Sequence, residues 1–364
     1  MFFSILIVVL AIVALLALHE MGHFLIAKKL GVKVEEFGIG YPPRLWGKKI
    51  GETIYSLNLI PFGAFVRILG ESEKVKNKRS FSEKTVFQRA LIILGGVVAF
   101  WIIAILIMIL VIGFWGLPAA VPDNYQGEIT NPHVEIIQVF SSTPASEAGL
   151  ESGDEIIGIL SSGKSLENPK EVGIVQNFIK SEKEQELELK IKRGENLVNF
   201  SLVPRVNPPE NEGAIGISLA KVGNIKYSWY EAPLQGLVIV GKQTAAIPIM
   251  LGNIFFRALE GEKLEGVQFS GPIGISQMLS RAIGQGWDRF LLMISLISIW
   301  LALFNIFPIP ALDGGKLLFL IIEGIRKKPI SEVLERKVSA CCFLILLGLM
   351  VLVTIFDITR IFNL

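Results

Sequence analysis

The chain has 364 residues, 51% of them hydrophobic, with a mean hydropathy of +0.55. A net charge of +2 gives nucleic acid no general electrostatic footing as a partner, and two adjacent cysteines, Cys341 and Cys342, exclude a disulfide framework or a cysteine metal cluster. Apolar residues gather in runs near the ~20 residues that cross a bilayer, which is membrane-protein composition.

The first run, Phe2 to Leu18, has Ser4 as its polar interruption and continues into "HEMGH" (His19–His23), so residues 1–27 are predicted as a first span. No Lys or Arg precedes the run and no clear small-residue cleavage site follows it, so it is expected to be retained and not removed as a signal peptide. Residues 28–88 are rich in Lys and Arg and hold two β-type runs, "FGIGYPPRLWGKK" (Phe37–Lys49) and "TIYSLNLIPFGAFVRILGE" (Thr53–Glu71). They predict a cytoplasmic loop with membrane-associated β elements, and an exposed edge near Ile54 to Arg67 is expected to accept an extended peptide. Residues 89–117, uncharged from Leu91 onward, form the second predicted span.

Residues 118–205 read as a linker and a water-soluble domain. "VFSSTPASEAGLESGDEIIGI" (Val139–Ile159) predicts strand, short helix, turn and strand, and Gln185–Pro204 alternates on both sides of a 194–196 turn, as a hairpin does. Through Pro144, Ala145, Ala148, Gly149, Leu150, Gly153, Asp154 and Ile156 this stretch resembles a PDZ domain of the bacterial type.

Residues 206–231 are expected to be a linker. Residues 232–260 are apolar but carry Gln235, Lys242, Gln243, Asn253, Arg257, Pro233 and Pro248, which suits an amphipathic helix at the membrane interface. After a loop at 261–287 come a third span at 288–325, a basic loop at 326–339 and a fourth span with the C-terminus at 340–364. The fold class expected is thus a polytopic α-helical membrane protein of four transmembrane helices, with a β-hairpin region and one inserted extracytoplasmic α+β domain. Basic residues in the 28–88 and 326–339 loops put both on the cytoplasmic side and put the termini and the inserted domain outside.

His-Glu-x-x-His on a helix sets His19 and His23 one turn apart on one face, where both imidazoles can bind one Zn²⁺, with Glu20 placed as a general base rather than a ligand. Ionisable groups at membrane depth are costly and mark function. A catalytic zinc needs a third protein ligand. The metzincin position holds Lys29, and His133 falls in the outside domain, so neither supplies it. Asp313 in "NIFPIPALDGGK" follows a long apolar run; Pro308 and Pro310 should break that helix, while Gly314 and Gly315 should free the backbone to turn the carboxylate inward. The topology puts His19, His23 and Asp313 near the same leaflet.

"HEMGH", the PDZ-like stretch, "GPIGI" (Gly271–Ile275) and "NIFPIPALDGG", in this order, resemble the site-2 protease family of intramembrane zinc metalloproteases, most closely its bacterial RseP-like members. The resemblance implies zinc held by His19, His23 and Asp313, with Glu20 as general base and Asn305 binding substrate or stabilising the oxyanion. It also matches Gly38–Gly40 and Phe62–Gly70 to the family's membrane-associated β elements. It further implies an inner-membrane protein whose partners are the bilayer and single-pass membrane protein substrates, such as anti-sigma factors or remnant signal peptides, cut within or near the transmembrane segment. Val97 and Phe100 stand where the family has Pro and Asn, and Ala64 where it has Gly; these departures are expected not to touch the metal ligands. The competing expectation is a non-catalytic scaffold that recruits partners through its PDZ domain.

Overall fold

The computed structural model describes residues 2–71, 73, 75–125, 129–194, 196–209, 213–261, 270–328 and 330–362. Glu195 of the predicted hairpin turn, residues 262–269 of the predicted 261–287 loop and the side chain of Phe62 lie outside the described set. The chain divides into two units, residues 1–109 with 233–364, and residues 110–232.

The first unit opens with α1 (Phe2–Lys29), an uninterrupted helix that includes the His-Glu-x-x-His motif. Two long antiparallel strands follow, β1 (Val34–Ile50) and β2 (Thr53–Ile68). Their register makes this hairpin broader than two strands. Residues Glu36–Ile39 pair with Ala64–Arg67 on one side and with Ile54–Leu57 on the other, and Arg44–Ile50 pair with Thr53–Asn58. The result is four short stretches in the order 64–68, 34–39, 54–58, 44–50. Ile54–Asn58, part of the expected peptide-accepting edge, is therefore paired on both sides, and of that edge the outer side of 64–68 remains. The inner end of the sheet packs with Ala27, Ile92, Ile93 and Leu320, whereas Tyr41, Leu45, Trp46, Ile50, Leu57 and Leu59 are exposed. Then comes α2 (Val86–Phe114).

The second unit is a seven-stranded antiparallel sheet with two helices: β3 (Leu117–Val121), β4 (Ile129–Val139), α3 (Pro144–Ala148), β5 (Glu155–Ser161), β6 (Lys164–Glu167), α4 (Val172–Ser181), β7 (Leu187–Arg193), β8 (Asn196–Leu202) and β9 (Ile217–Ile225). The strand order is β3-β9-β4-β5-β7-β8, with β6 on β5. The predicted helix over Pro144 forms: Thr143 caps it, Pro144 begins it, and Gly149 ends it at a φ of 88°. The turn at Gly153 is locked by Asp154, which is fully buried and accepts from Glu151 N and from the Arg193 guanidinium at 2.6 and 2.7 Å.

The expected linker at 206–231 is corrected by the structure, because it contributes β9, which lies between β3 and β4. Ile215, Ile217 and Leu219 alternate toward the core formed by Ile136, Ile159, Leu189 and Ile191, a period-two signal that a soluble linker has no reason to carry. β3 pairs only with Lys221–Ile225 of β9, so Ile217–Ala220 keeps an open side on that edge. Asp123 accepts from the backbone N–H groups of Val172 and Gly173 and so caps α4 from the β3–β4 connection.

The first unit resumes with α5 (Ala232–Leu259), α6 (Pro272–Gln285), α7 (Trp287–Ile306), α8 (Asp313–Arg326) and α9 (Glu332–Phe362). The predicted third span breaks between Ile306 and Asp313, at the prolines, and α9 starts at Glu332, within the expected 326–339 loop. The Glu, Arg and Lys residues of that stretch are good helix formers and extend the last helix by two turns. Five helices are long and apolar enough to cross a membrane by length and composition: α1, α2, α5, α7 and α9. α5, expected at the interface, is the least apolar of them, with a hydropathy of 1.4.

Inside the first unit α2 lies against both α1 and α7. Gly22 and Gly95 meet backbone to backbone, since a Cβ on Gly22 would overlap the Gly95 carbonyl. On its other side α2 accepts hydrogen bonds at the Phe100 and Ala104 carbonyls from Ser298 and Ser295, both fully buried. Asp357 of α9 is buried and accepts from the Gly274 N–H in the first turn of α6, and a Cβ on Gly271 or Gly274 would crowd its carboxylate. This contact accounts for the two glycines of "GPIGI".

In the second unit Glu182 is buried and accepts from Lys164 Nζ at 2.6 Å. That bond, helped by the Ser181 and Ser161 hydroxyls and opposed by desolvation, holds its carboxyl below the ordinary value. A depressed folded value means that the stabilisation is present above the unfolded carboxylate range and is lost as pH falls through the folded value. Thermal unfolding followed by circular dichroism from about pH 7 to about pH 4 should show a steeper loss for the wild type than for Glu182→Gln, which starts lower and changes less.

Candidate metal centre

His19 and His23 stand one turn apart on α1, each 7% exposed, with their Nε2 atoms 3.3 Å from each other. Asp313, the first residue of α8, brings Oδ2 to 3.4 Å from His19 Nε2 and 3.2 Å from His23 Nε2. This is the group among the described residues able to hold a metal ion. Donors ~2.0–2.1 Å from a tetrahedral Zn²⁺ stand about 3.3–3.4 Å apart, so the triangle has the size that such an ion requires. Asp313 Oδ2 is buried without a hydrogen-bond partner, which leaves it in need of a cation. Two imidazole nitrogens and one carboxylate oxygen also form a donor set typical of catalytic zinc, with a fourth position left for water or substrate.

Second contacts fix the two imidazoles. His23 Nδ1 lies 2.9 Å from the Ile92 carbonyl and donates to it, which leaves the Nε2 lone pair for a metal. The His19 ring stacks on Phe100, with centroids 4.4 Å apart and planes 18° apart. Phe100 is fully buried and packs on His19, so the expectation that the departures do not touch the ligands is corrected for Phe100, whereas Ala64 lines the adjoining cavity.

Glycines make the approach possible. A Cβ on Gly96 of α2 would run into His23 Nε2 and the His19 ring. Gly314 and Gly315 act differently from expectation, because neither takes a left-handed φ. Their missing side chains instead let the Ile306, Phe307 and Ile309 carbonyls fold back against the start of α8, and a Cβ at either glycine would overlap them. The break after α7 is thereby packed tightly enough to aim Asp313 at the two imidazoles, and the N-terminus of α8 favours its negative charge.

A cavity of about 210 Å³ adjoins the ligands. Glu20, His23 and Asp313 line it together with Ala64, Phe65, Val66 and Ile68 of β2, and with Glu71 and Lys316. Glu20 Oε1 is 4.0 Å from His19 Nε2, within reach of this space and outside the ligand triangle. Asn305 is not brought to the cavity: it sits in the last turn of α7 and donates from Nδ2 to the Leu301 carbonyl at 2.9 Å. His133 belongs to the other unit, where Glu135 and the Asn131 carbonyl hold it.

Sequence reasoning missed Phe100, Gly96, Gly22, Glu71 and Lys316. The glycines left a signal, small residues inside strongly apolar helices, which marks close helix packing in membranes. Gly96→Ala should sharply lower zinc content, measured by elemental analysis of purified protein. Gly241→Ala, where a Cβ meets open space, should retain it.

Residues 7–349 match peptidase family M50. A Clostridium perfringens (strain 13 / Type A) protein named provisionally as a zinc metalloprotease is 35% identical over 351 residues, covering 96% of each chain. The regulator of sigma-W protease RasP of Bacillus subtilis (strain 168) is 28% identical over 428 residues, covering 94% of this chain and 95% of that protein. The zinc metalloprotease RasP of Oceanobacillus iheyensis is 26% identical over 431 residues, covering 96% and 97%.

Proposed function

Because this chain belongs to peptidase family M50, the zinc-dependent metalloproteases, we propose that it is an intramembrane endopeptidase that cuts single-pass membrane proteins within or near their transmembrane segments. The observation that carries this reading is the buried triangle of His19, His23 and Asp313 beside Glu20, set among helices apolar enough to cross a membrane. His19 Nε2, His23 Nε2 and Asp313 Oδ2 would hold the zinc. When bound, it supplies a Lewis acid that polarises the scissile carbonyl and acidifies water.

The chain's own residues do the rest. Glu20, not a ligand, takes the proton of the attacking water and returns it to the leaving nitrogen. A substrate helix is internally hydrogen-bonded and must unwind before attack, and the bilayer offers nothing to satisfy the freed backbone groups. The outer edge of Ala64–Ile68, lining the cavity, is the surface that takes up those bonds by strand addition. Asn305 keeps its Oδ1 and its second Nδ2 hydrogen for substrate while one Nδ2 hydrogen bonds the Leu301 carbonyl.

The protein sits in the bacterial cytoplasmic membrane, with its termini and the 110–232 unit outside and the metal centre near the cytoplasmic leaflet, as the basic loops favour. On this reading α5 lies at the interface. The 110–232 unit serves as a PDZ domain: a groove of about 340 Å³ between α4 and the open start of β9, lined by Gln176, Ile179, Lys180 and residues 213–219, suits an extended C-terminus. The name of the Bacillus subtilis relative supports a substrate that restrains a sigma factor, of the anti-sigma class.

The test uses purified full-length protein and a generic single-span helical substrate, with zinc measured beside cleavage. The wild type should bind about one zinc and cut. Glu20→Gln should keep the metal and lose cleavage by at least ~100-fold. Asp313→Ala should lose most of its zinc. A wild type without zinc, or Glu20→Gln that cuts normally, would overturn the protease reading in favour of a non-catalytic scaffold.

A further inference from the structure

Glu71 and Lys316 are 245 residues apart in sequence and meet at 2.7 Å. Glu71 closes the turn that ends β2: its N–H donates to the Ile68 carbonyl, and the preceding Gly70 takes a φ of 76°. Lys316 is one turn beyond Asp313 on the same helix. Among the described residues, theirs is the hydrogen-bonded contact joining the end of the sheet to α8. Both side chains line the cavity that holds Glu20, His23 and Asp313.

The root of the sheet is fastened elsewhere to its own neighbours: Leu69 N donates to the Lys33 carbonyl, Phe81 N to the Leu69 carbonyl and Lys33 N to the Arg79 carbonyl. None of these bonds reaches the helix that carries the third ligand. Apolar contacts of Ile68, Phe81 and Leu320 hold the sheet near α8, but burial by itself prefers no direction. A charge-assisted hydrogen bond does have one.

The pair also faces a second cavity of about 380 Å³, which shares Glu71, Ile93 and Lys316 with the site cavity and is lined further by charged groups such as Arg89, Glu323 and Glu335 and by apolar ones such as Phe81 and Phe319. Glu71 and Lys316 thus form part of the wall between this second cavity and the metal centre. With side chains 23% and 46% exposed, they hold position without being sealed in.

We propose that Glu71 and Lys316 are positioning residues for proteolysis: their ion pair fixes the Ala64–Ile68 edge at the height along α8 where a paired peptide presents its carbonyl to the metal centre. The inference rests on the reading of that edge as the substrate-binding strand. It assigns the pair an effect on substrate alignment and none on metal binding.

Full-length protein in lipid nanodiscs, with a fluorogenic single-span substrate, tests it through KM, kcat and zinc content. Glu71→Gln and Lys316→Met should each lower kcat by roughly tenfold, the worth of a charge-assisted hydrogen bond, with zinc unchanged. Lys316→Arg and the exchanged pair Glu71→Lys with Lys316→Glu should each recover most of the loss. Val66→Pro, which disturbs the edge directly, serves as the control for the underlying reading. Unchanged kcat in the two single variants, with a lowered kcat/KM in Val66→Pro, would overturn the positioning role and leave the edge reading standing. Unchanged kcat/KM in Val66→Pro would overturn both. Zinc loss in Glu71→Gln or Lys316→Met would assign the pair to the metal centre and overturn the proposal as well.

Discussion

Two imidazoles and a carboxylate converge on one buried point among helices whose remaining surface is apolar, and much of the first unit is arranged around that convergence. A carboxylate at membrane depth costs a few kcal/mol on insertion scales and more where no partner neutralises it. Asp313 Oδ2 has no hydrogen-bond donor of its own. A divalent cation removes the penalty for all three groups at once, so the same ion that would perform the chemistry also stabilises the meeting of α1 and α8.

Backbone proximity is what the convergence demands of the surrounding helices. α2 can press against both histidines only because Gly96 has no side chain, and it reaches α1 that closely only because Gly22 and Gly95 touch. The serines of α7 then bond to α2 carbonyls, directional links in a medium where apolar contact between helices gains little over lipid. Gly314 and Gly315 perform the same service at the α7–α8 break, where carbonyls fold onto the helix start. Phe100 and the Ile92 carbonyl orient the rings once they are in place. Close packing selects the residues around the ligands as strictly as coordination selects the ligands.

The ligands were legible in the sequence because their signal is local. His19 and His23 are related by one helical turn, and Asp313 ends an apolar run at a break marked by Pro308 and Pro310. The supporting residues were not, since their reason for being small or aromatic lies on another helix: nothing near Gly96 in sequence announces a histidine ring 73 residues upstream. Phe100, a departure from the family pattern, was expected not to touch the ligands for the same reason. β9 was missed on different grounds. Its alternation is short and follows a proline-rich and acidic stretch, so composition masked a period-two pattern that only the partners β3 and β4 make decisive. The hairpin was read correctly as β, but its doubling into four paired stretches depends on register, and that is what leaves, of the expected Ile54–Arg67 edge, the outer side of 64–68.

The central claim is that the buried trio is a zinc site. X-ray absorption at the zinc edge, on purified full-length protein in lipid, tests it most directly. The account predicts a first shell of nitrogen and oxygen only, at about 2.0–2.1 Å, with the outer-shell pattern of two imidazoles. Sulfur scattering at about 2.3 Å, which would place the ion at Cys341 and Cys342, or a shell without imidazole, would contradict it.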